Sequence, residues 1–163
     1  MIELQILIVI STIAITLAGF AGIVGIFADN LSSQKSFRLG TLLFQSGVAL
    51  FASLASLIFY QINDVSSIEA DKKHWVISSY VYIFIATLAL IQPTIDIVKS
   101  KRYFDFSYDR IYYFLFLLVI ALLIVNVIFI KEAYLFHAAL VINLGYGFVT
   151  FFNLVMPSKN EVK

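Results

Sequence analysis

The chain has no cysteine among its 163 residues. That excludes disulfides, thiolate chemistry, iron–sulfur clusters and Cys-ligated zinc. Charge is scarce as well. Asp, Glu, Lys and Arg make up 13% of the residues, against about a quarter in a typical soluble domain. The net charge of +1 gives no field that would attract nucleic acid or an acidic substrate. No basic stretch precedes the first apolar run, which opens Met1-Ile2-Glu3-Leu4-Gln5. A cleaved secretory signal normally starts with one, so this segment is expected to be a retained helix. No catalytic, metal or nucleotide motif stands out. An enzyme needs preorganised acid, base or metal groups, so no enzyme activity and no cofactor are expected.

What is present is apolar sequence. Hydrophobic residues make up 61% of the chain and the mean hydropathy is +0.97. Five apolar segments span residues 5–28, 37–60, 75–98, 111–130 and 133–156. Crossing about 30 Å of hydrocarbon takes about 20 helical residues at about 1.5 Å each. The expected fold is all-α: a polytopic transmembrane helical bundle of five membrane-spanning helices, with residues 1–163 forming one integral membrane domain. A water-soluble core would leave too much of this apolar surface exposed.

Basic residues set the expected orientation. Five spans put the N-terminus, the 61–74 loop and the Lys131-Glu132 turn on one side, with Lys72, Lys73 and Lys131. The other side holds Lys35, Arg38, Lys99, Lys101, Arg102, Arg110, Lys159 and Lys163. Cytoplasmic loops are enriched in Lys and Arg. The chain is therefore expected in the cell membrane, with its N-terminus outside and its C-terminus in the cytoplasm.

Small residues mark an expected packing seam. Ala14, Ala18 and Gly22 recur every four residues, with Gly25 and Ala28 on nearly the same face. In lipid, close backbone approach and dispersion drive helix association, and small residues permit it. The second helix carries Ala49, Ser53 and Ser56, with Gly47, Ala52 and Ala55 beside them. Helices one and two are expected to pack tightly, with Ala18, Gly22 and Gly25 at the contact. A Gly-lined substrate path is the alternative use of these residues.

Several short runs carry a family resemblance. They are Leu17-Ala18-Gly19-Phe20-Ala21-Gly22-Ile23 in the first helix, then Phe37-Arg38-Leu39 and Leu42-Leu43-Phe44-Gln45-Ser46. Trp75-Val76-Ile77-Ser78-Ser79 opens the third helix, and the end reads Leu144-Gly145-Tyr146 through Phe151-Phe152-Asn153-Leu154. Together they resemble a family of small, uncharacterised bacterial integral membrane proteins. Gly40 stands where such proteins often carry a further Arg, and Trp75-Val76 where they carry Trp-Arg. The resemblance implies a membrane-embedded helical protein and no established activity or cofactor.

Polar residues within the spans are the remaining pointers. In hydrocarbon they are costly unless partnered, so they face the bundle interior or a wet cavity. On the cytoplasmic side Arg38, Gln45, Gln92 and Asp96 form an expected polar layer. Gln45 and Gln92 each lie about seven residues, roughly 10 Å, inside a basic flank. Pro93 removes a backbone donor next to Gln92. Asp96 reads as an interfacial carboxylate paired with Lys99, Arg38 or water, or as a proton- or cation-binding group in a cytoplasmic vestibule. Gln45 and Gln92 read as interhelical hydrogen-bond partners or as pore-lining groups.

On the outer side, Asn126 lies five residues before Lys131 and His137 five after Glu132. Equal offsets across a tight hairpin put them at similar depth, so Asn126 and His137 are expected to hydrogen-bond. A titrating or metal-binding His137 is the alternative, and His74 with His137 makes a weak candidate pair for haem or metal. Tyr103, Phe104, Phe106, Tyr108, Tyr112 and Tyr113 crowd the inner boundary, with Trp75 and Tyr60 on the outer side. Amphipathic rings anchor at headgroup depth.

Two functional classes follow. One is a non-catalytic component that packs into a homo-oligomer or a larger membrane complex. The other is a small channel or transporter for protons, ions or a small solute, with the cytoplasmic polar layer as its site. The expected partners are the lipid bilayer and membrane protein, not nucleic acid. The sequence does not identify a substrate, a partner or an oligomeric state.

Overall fold

A computed structural model describes residues 2–27, 33–62, 67–100 and 108–155. Within these it leaves aside the side chains of residues 27, 33–34, 37, 89, 92–94, 96–100 and 108–113. The described residues form five long helices: α1 (Ile2–Phe27), α2 (Ser33–Ile62), α3 (Ile68–Ser100), α4 (Tyr108–Val125) and α5 (Ala133–Val155). A π-helical turn, Asn126–Ile130, extends α4 to the hairpin at Lys131. Three stretches are long and apolar enough to cross a membrane: Ile2–Ile26, Arg38–Ile62 and Ala133–Val155. Phe114–Ile130 is a shorter apolar stretch.

Successive helices alternate in direction. Arg38 near the start of α2 meets Asn153 near the end of α5. Ser56 near the end of α2 meets His74 near the start of α3. Asn126, just past the end of α4, meets Ser79 in the first third of α3. The element that organises the bundle is α2, which touches α1, α3 and α5, and its interface with α1 is the most extensive. In turn α5 touches all four other helices.

Small residues bring α2 to this central position. Its buried face carries Ser46, Ala49, Ala52, Ser53 and Ser56. Short side chains let neighbouring backbones approach, which is how helices associate where lipid removes the hydrophobic drive. Ser46 and Ser53 return their hydroxyls to the carbonyls of Leu42 and Ala49, four residues back. Each polar atom is thereby satisfied within its own helix. The outer faces are the reverse. Ile8, Ile15, Phe51, Ile58, Phe84 and Phe152 are among many large apolar side chains left exposed. A surface this apolar is matched to lipid and not to water.

The expected 61–74 loop is corrected by the helix boundaries. Its second half is helical, because Ser67 caps α3: its hydroxyl accepts the Ala70 N–H at 3.1 Å and its carbonyl the Asp71 N–H at 3.0 Å. Glu69 and Asp71 sit in the first turn, where the helix dipole favours negative charge. The interior of α3 therefore starts earlier than hydropathy suggests. Trp75, expected as an outer anchor, has 0% exposure and belongs to the core.

The hairpin between α4 and α5 depends on Asn126. The Lys131 N–H donates to the Asn126 carbonyl at 2.7 Å across a π-type turn, and Lys131 adopts the left-handed region at φ 59°. The Asn126 side chain repeats this one residue on, with Oδ1 accepting the Glu132 N–H at 3.0 Å. One residue thus closes two of the carbonyl–amide gaps that a helix end leaves open.

Candidate functional site: polar contacts buried between the helices

The apolar bundle encloses two groups of polar side chains, one in each half. In the half that holds the α4–α5 hairpin, α2, α3 and the end of α4 converge. Ser78 donates to Ser56 at 2.9 Å, and Ser56 Oγ lies 3.2 Å from His74 Nε2. Asn126 Nδ2 donates to Ser79 Oγ at 3.1 Å. All of these side chains are buried. Successive residues of α3 supply His74, Ser78 and Ser79. Ser78 lies one turn after His74 and Ser79 turns toward α4, so one helix serves two neighbours.

Aromatic rings close this region. Trp75 is fixed by its indole N–H, which donates to Asp71 Oδ1 one turn earlier at 2.9 Å. His74 and His137 both meet the indole edge-to-face, with centroids 4.6 and 5.2 Å away. Tyr60 covers the other side of His74 at 5.5 Å. His74 Nδ1 and His137 Nε2 are buried without a hydrogen-bond partner.

The expected Asn126–His137 pair does not form. Asn126 is fully buried, but its amide serves Ser79 and the Glu132 N–H. His137 instead packs on Trp75 and Phe136. Depth was read from sequence offsets, but the π-helical turn changes the azimuth of Asn126 and directs it toward α3. The Trp75 ring packs against both His74 and His137, the pair considered for haem or metal. Among the described residues, no three His, Asp or Glu side chains are grouped to hold a metal ion.

In the opposite half, Arg38 and Gln45 both point at α5. Arg38 Nη1 donates to the Asn153 carbonyl at 3.0 Å, in the last turn of α5. A guanidinium there satisfies a carbonyl that a helix end leaves open and complements the negative end of the dipole. Gln45 is 2% exposed. Asn143 Nδ2 donates to its backbone carbonyl at 3.1 Å, while Gln45 Oε1 has no partner. A void of about 10 Å³ lies between α2, α4 and α5, lined by Gln45, Asn143, Leu115, Phe116, Val119, Ile142 and Tyr146. Gln92 and Asp96 lie on α3, but their side chains fall outside the described residues.

The seam expected on α1 is rotated. Its buried stripe runs Leu7, Ile10, Ala14, Leu17 and Ala21. Ala18 is half-buried at its edge, and Gly22 and Gly25 are exposed. A Cβ on Gly22 would meet nothing within 4 Å, whereas one on Gly25 would come within 3.2 Å of Leu39 Cδ2. The residue after Ala21 points about 100° away from it, so Gly22 leaves the interface. Ala28 lies outside the described residues. Of the three expected residues, Gly25 is the one whose Cβ position lies against α2, at Leu39.

Ser56, Ser78, Ser79 and Asn143 belong to the buried contacts and were not singled out as polar sites. Asn143 had a usable signal, as a lone amide in the apolar run Val141-Ile142-Asn143-Leu144. The serines had a weaker one, since a serine in a small-residue stripe reads equally well as a packing residue. Comparison with protein-family models, curated proteins and solved structures gave no match.

Proposed function

We propose that this chain is a five-span membrane protein that acts as a non-catalytic component of a homo-oligomer or a larger membrane complex. Its N-terminus lies outside and its C-terminus in the cytoplasm. One observation carries the reading: five polar contacts among the described residues run from one helix to another. Ser78 with Ser56, Ser56 with His74, Asn126 with Ser79, Asn143 with α2 and Arg38 with α5 tie the bundle together. A transport path needs polar groups facing an aqueous opening, and the void beside Gln45 has room for about one water molecule. The apolar outer faces are then available to lipid and to neighbouring membrane protein.

The runner-up is a small channel or transporter working through Arg38, Gln45, Gln92 and Asp96. What favours it is Gln45, a buried acceptor without a partner beside that void. Two measurements separate the readings. Native mass spectrometry from lipid nanodiscs is expected to give a mass above one protomer, and proteoliposomes are expected to show no proton or alkali-cation flux above empty vesicles. A monomer whose flux is abolished by Asp96→Asn would replace the structural reading with the transport one.

A further inference from the structure

Gln45 presents an imbalance that the fold does not resolve. Its Oε1 is fully buried on a side chain 2% exposed, in a bundle that satisfies most of its other polar atoms. An unmet buried acceptor is destabilising, and the low dielectric around it raises the cost. Gln45 lines the void between α2, α4 and α5. Asn143 lines the same void; its amide gives one N–H to the Gln45 backbone carbonyl and keeps a second N–H and an acceptor oxygen. Leu115, Phe116, Val119 and Ile142 supply the apolar lining, with Tyr146 beside them.

We propose that this void is a binding site for one structural water, held between the side-chain amides of Gln45 and Asn143. Size and chemistry agree. The volume of about 10 Å³ matches the smallest space that admits a single water. A wholly apolar void of this kind would stay dry, but two facing amides offer the two or more polar partners that a buried water needs. Water both donates and accepts, so it completes either orientation of the Gln45 amide. Gly147 fits the same picture. A Cβ there would lie 3.5 Å from Gln45 Oε1, at ordinary contact distance, so the glycine leaves room around the amide without being forced by it. The water would couple α2 to α5 next to the direct Asn143 bond. It is a different object from a conducting file.

The test is a structure of the full chain in lipid nanodiscs, at a resolution that shows ordered internal waters, with Gln45→Met as the companion variant. Met is close in volume and lacks the amide. The expected result is one isolated density within hydrogen-bond distance of both the Gln45 and Asn143 side chains, absent in Gln45→Met, together with a lower melting temperature for the variant. An empty void in the parent overturns the proposal, as does a higher melting temperature in the variant, which is the signature of relieving a dry, orphaned acceptor. A continuous file of densities reaching the cytoplasmic surface also overturns it, and would count against the structural-component reading as well. If Gln45→Met fails to fold, the parent density alone decides.

Discussion

At the scale of single residues, Asn126 has the greatest effect on local structure. Its backbone carbonyl and side-chain oxygen close the hairpin, and its Nδ2 reaches Ser79 on another helix. Asn126→Ala leaves the Glu132 N–H without its acceptor and Ser79 without its donor. A loss of about 1–3 kcal/mol is expected. Ser79→Ala should cost less, because Asn126 keeps its bond to Glu132. A double-mutant cycle in detergent melts should show coupling of about 0.6 kcal/mol, the usual size for transmembrane polar pairs. Additive effects would mean that Asn126 acts through the turn alone. The sequence made the depth of Asn126 legible, since five residues from Lys131 fixes distance along the axis. It did not make the direction legible. One π-turn moves the side chain from α5 to α3, and no residue pattern announces such a turn. The same limit applies to His137, placed at the correct depth but against Trp75.

At the scale of elements, the positions of the five helices were legible because each contains an apolar run. Their boundaries shifted where capping overrode hydropathy. The first turns of α3 contain Glu69, Asp71, Lys72 and Lys73, which read as loop, but Ser67 provides the cap and the helix extends outward. The α1–α2 contact was legible as a pairing and not as a face. The expected stripe and the buried one differ by one residue, and here burial on α1 follows Ala14, Leu17 and Ala21. The substitutions that test this follow directly. Gly22→Leu should leave the melting temperature unchanged or raise it, because nothing lies within 4 Å of its Cβ position. Gly25→Leu should lower it, since Leu39 already stands at 3.2 Å from the first added atom. Gly147→Ala should stabilise α5 by up to about 1 kcal/mol, the helix-propensity difference, as its Cβ meets only ordinary contacts. A destabilised Gly22→Leu protomer would show that this face is packed against protein.

For the whole molecule, an apolar exterior around a buried polar interior is the arrangement lipid imposes, because every polar group in hydrocarbon needs a protein partner. The central claim is that all five helices cross the membrane. Three of them meet the length and hydropathy demands on their own. The third helix and the α4 unit decide the matter, because they carry charged or shorter segments and would cross as part of the bundle. The absence of native cysteine allows a direct measurement. Single cysteines are placed at Lys72, Ser107 and Ser158 and exposed to an impermeant maleimide in intact cells. Five spans with the N-terminus outside predict labelling at position 72 alone, with positions 107 and 158 reacting only after permeabilisation. A three-span protein gives the same result at 72 and 158, so position 107 discriminates. Labelling at position 107 in intact cells would place the connection between α3 and α4 outside and contradict the five-span account.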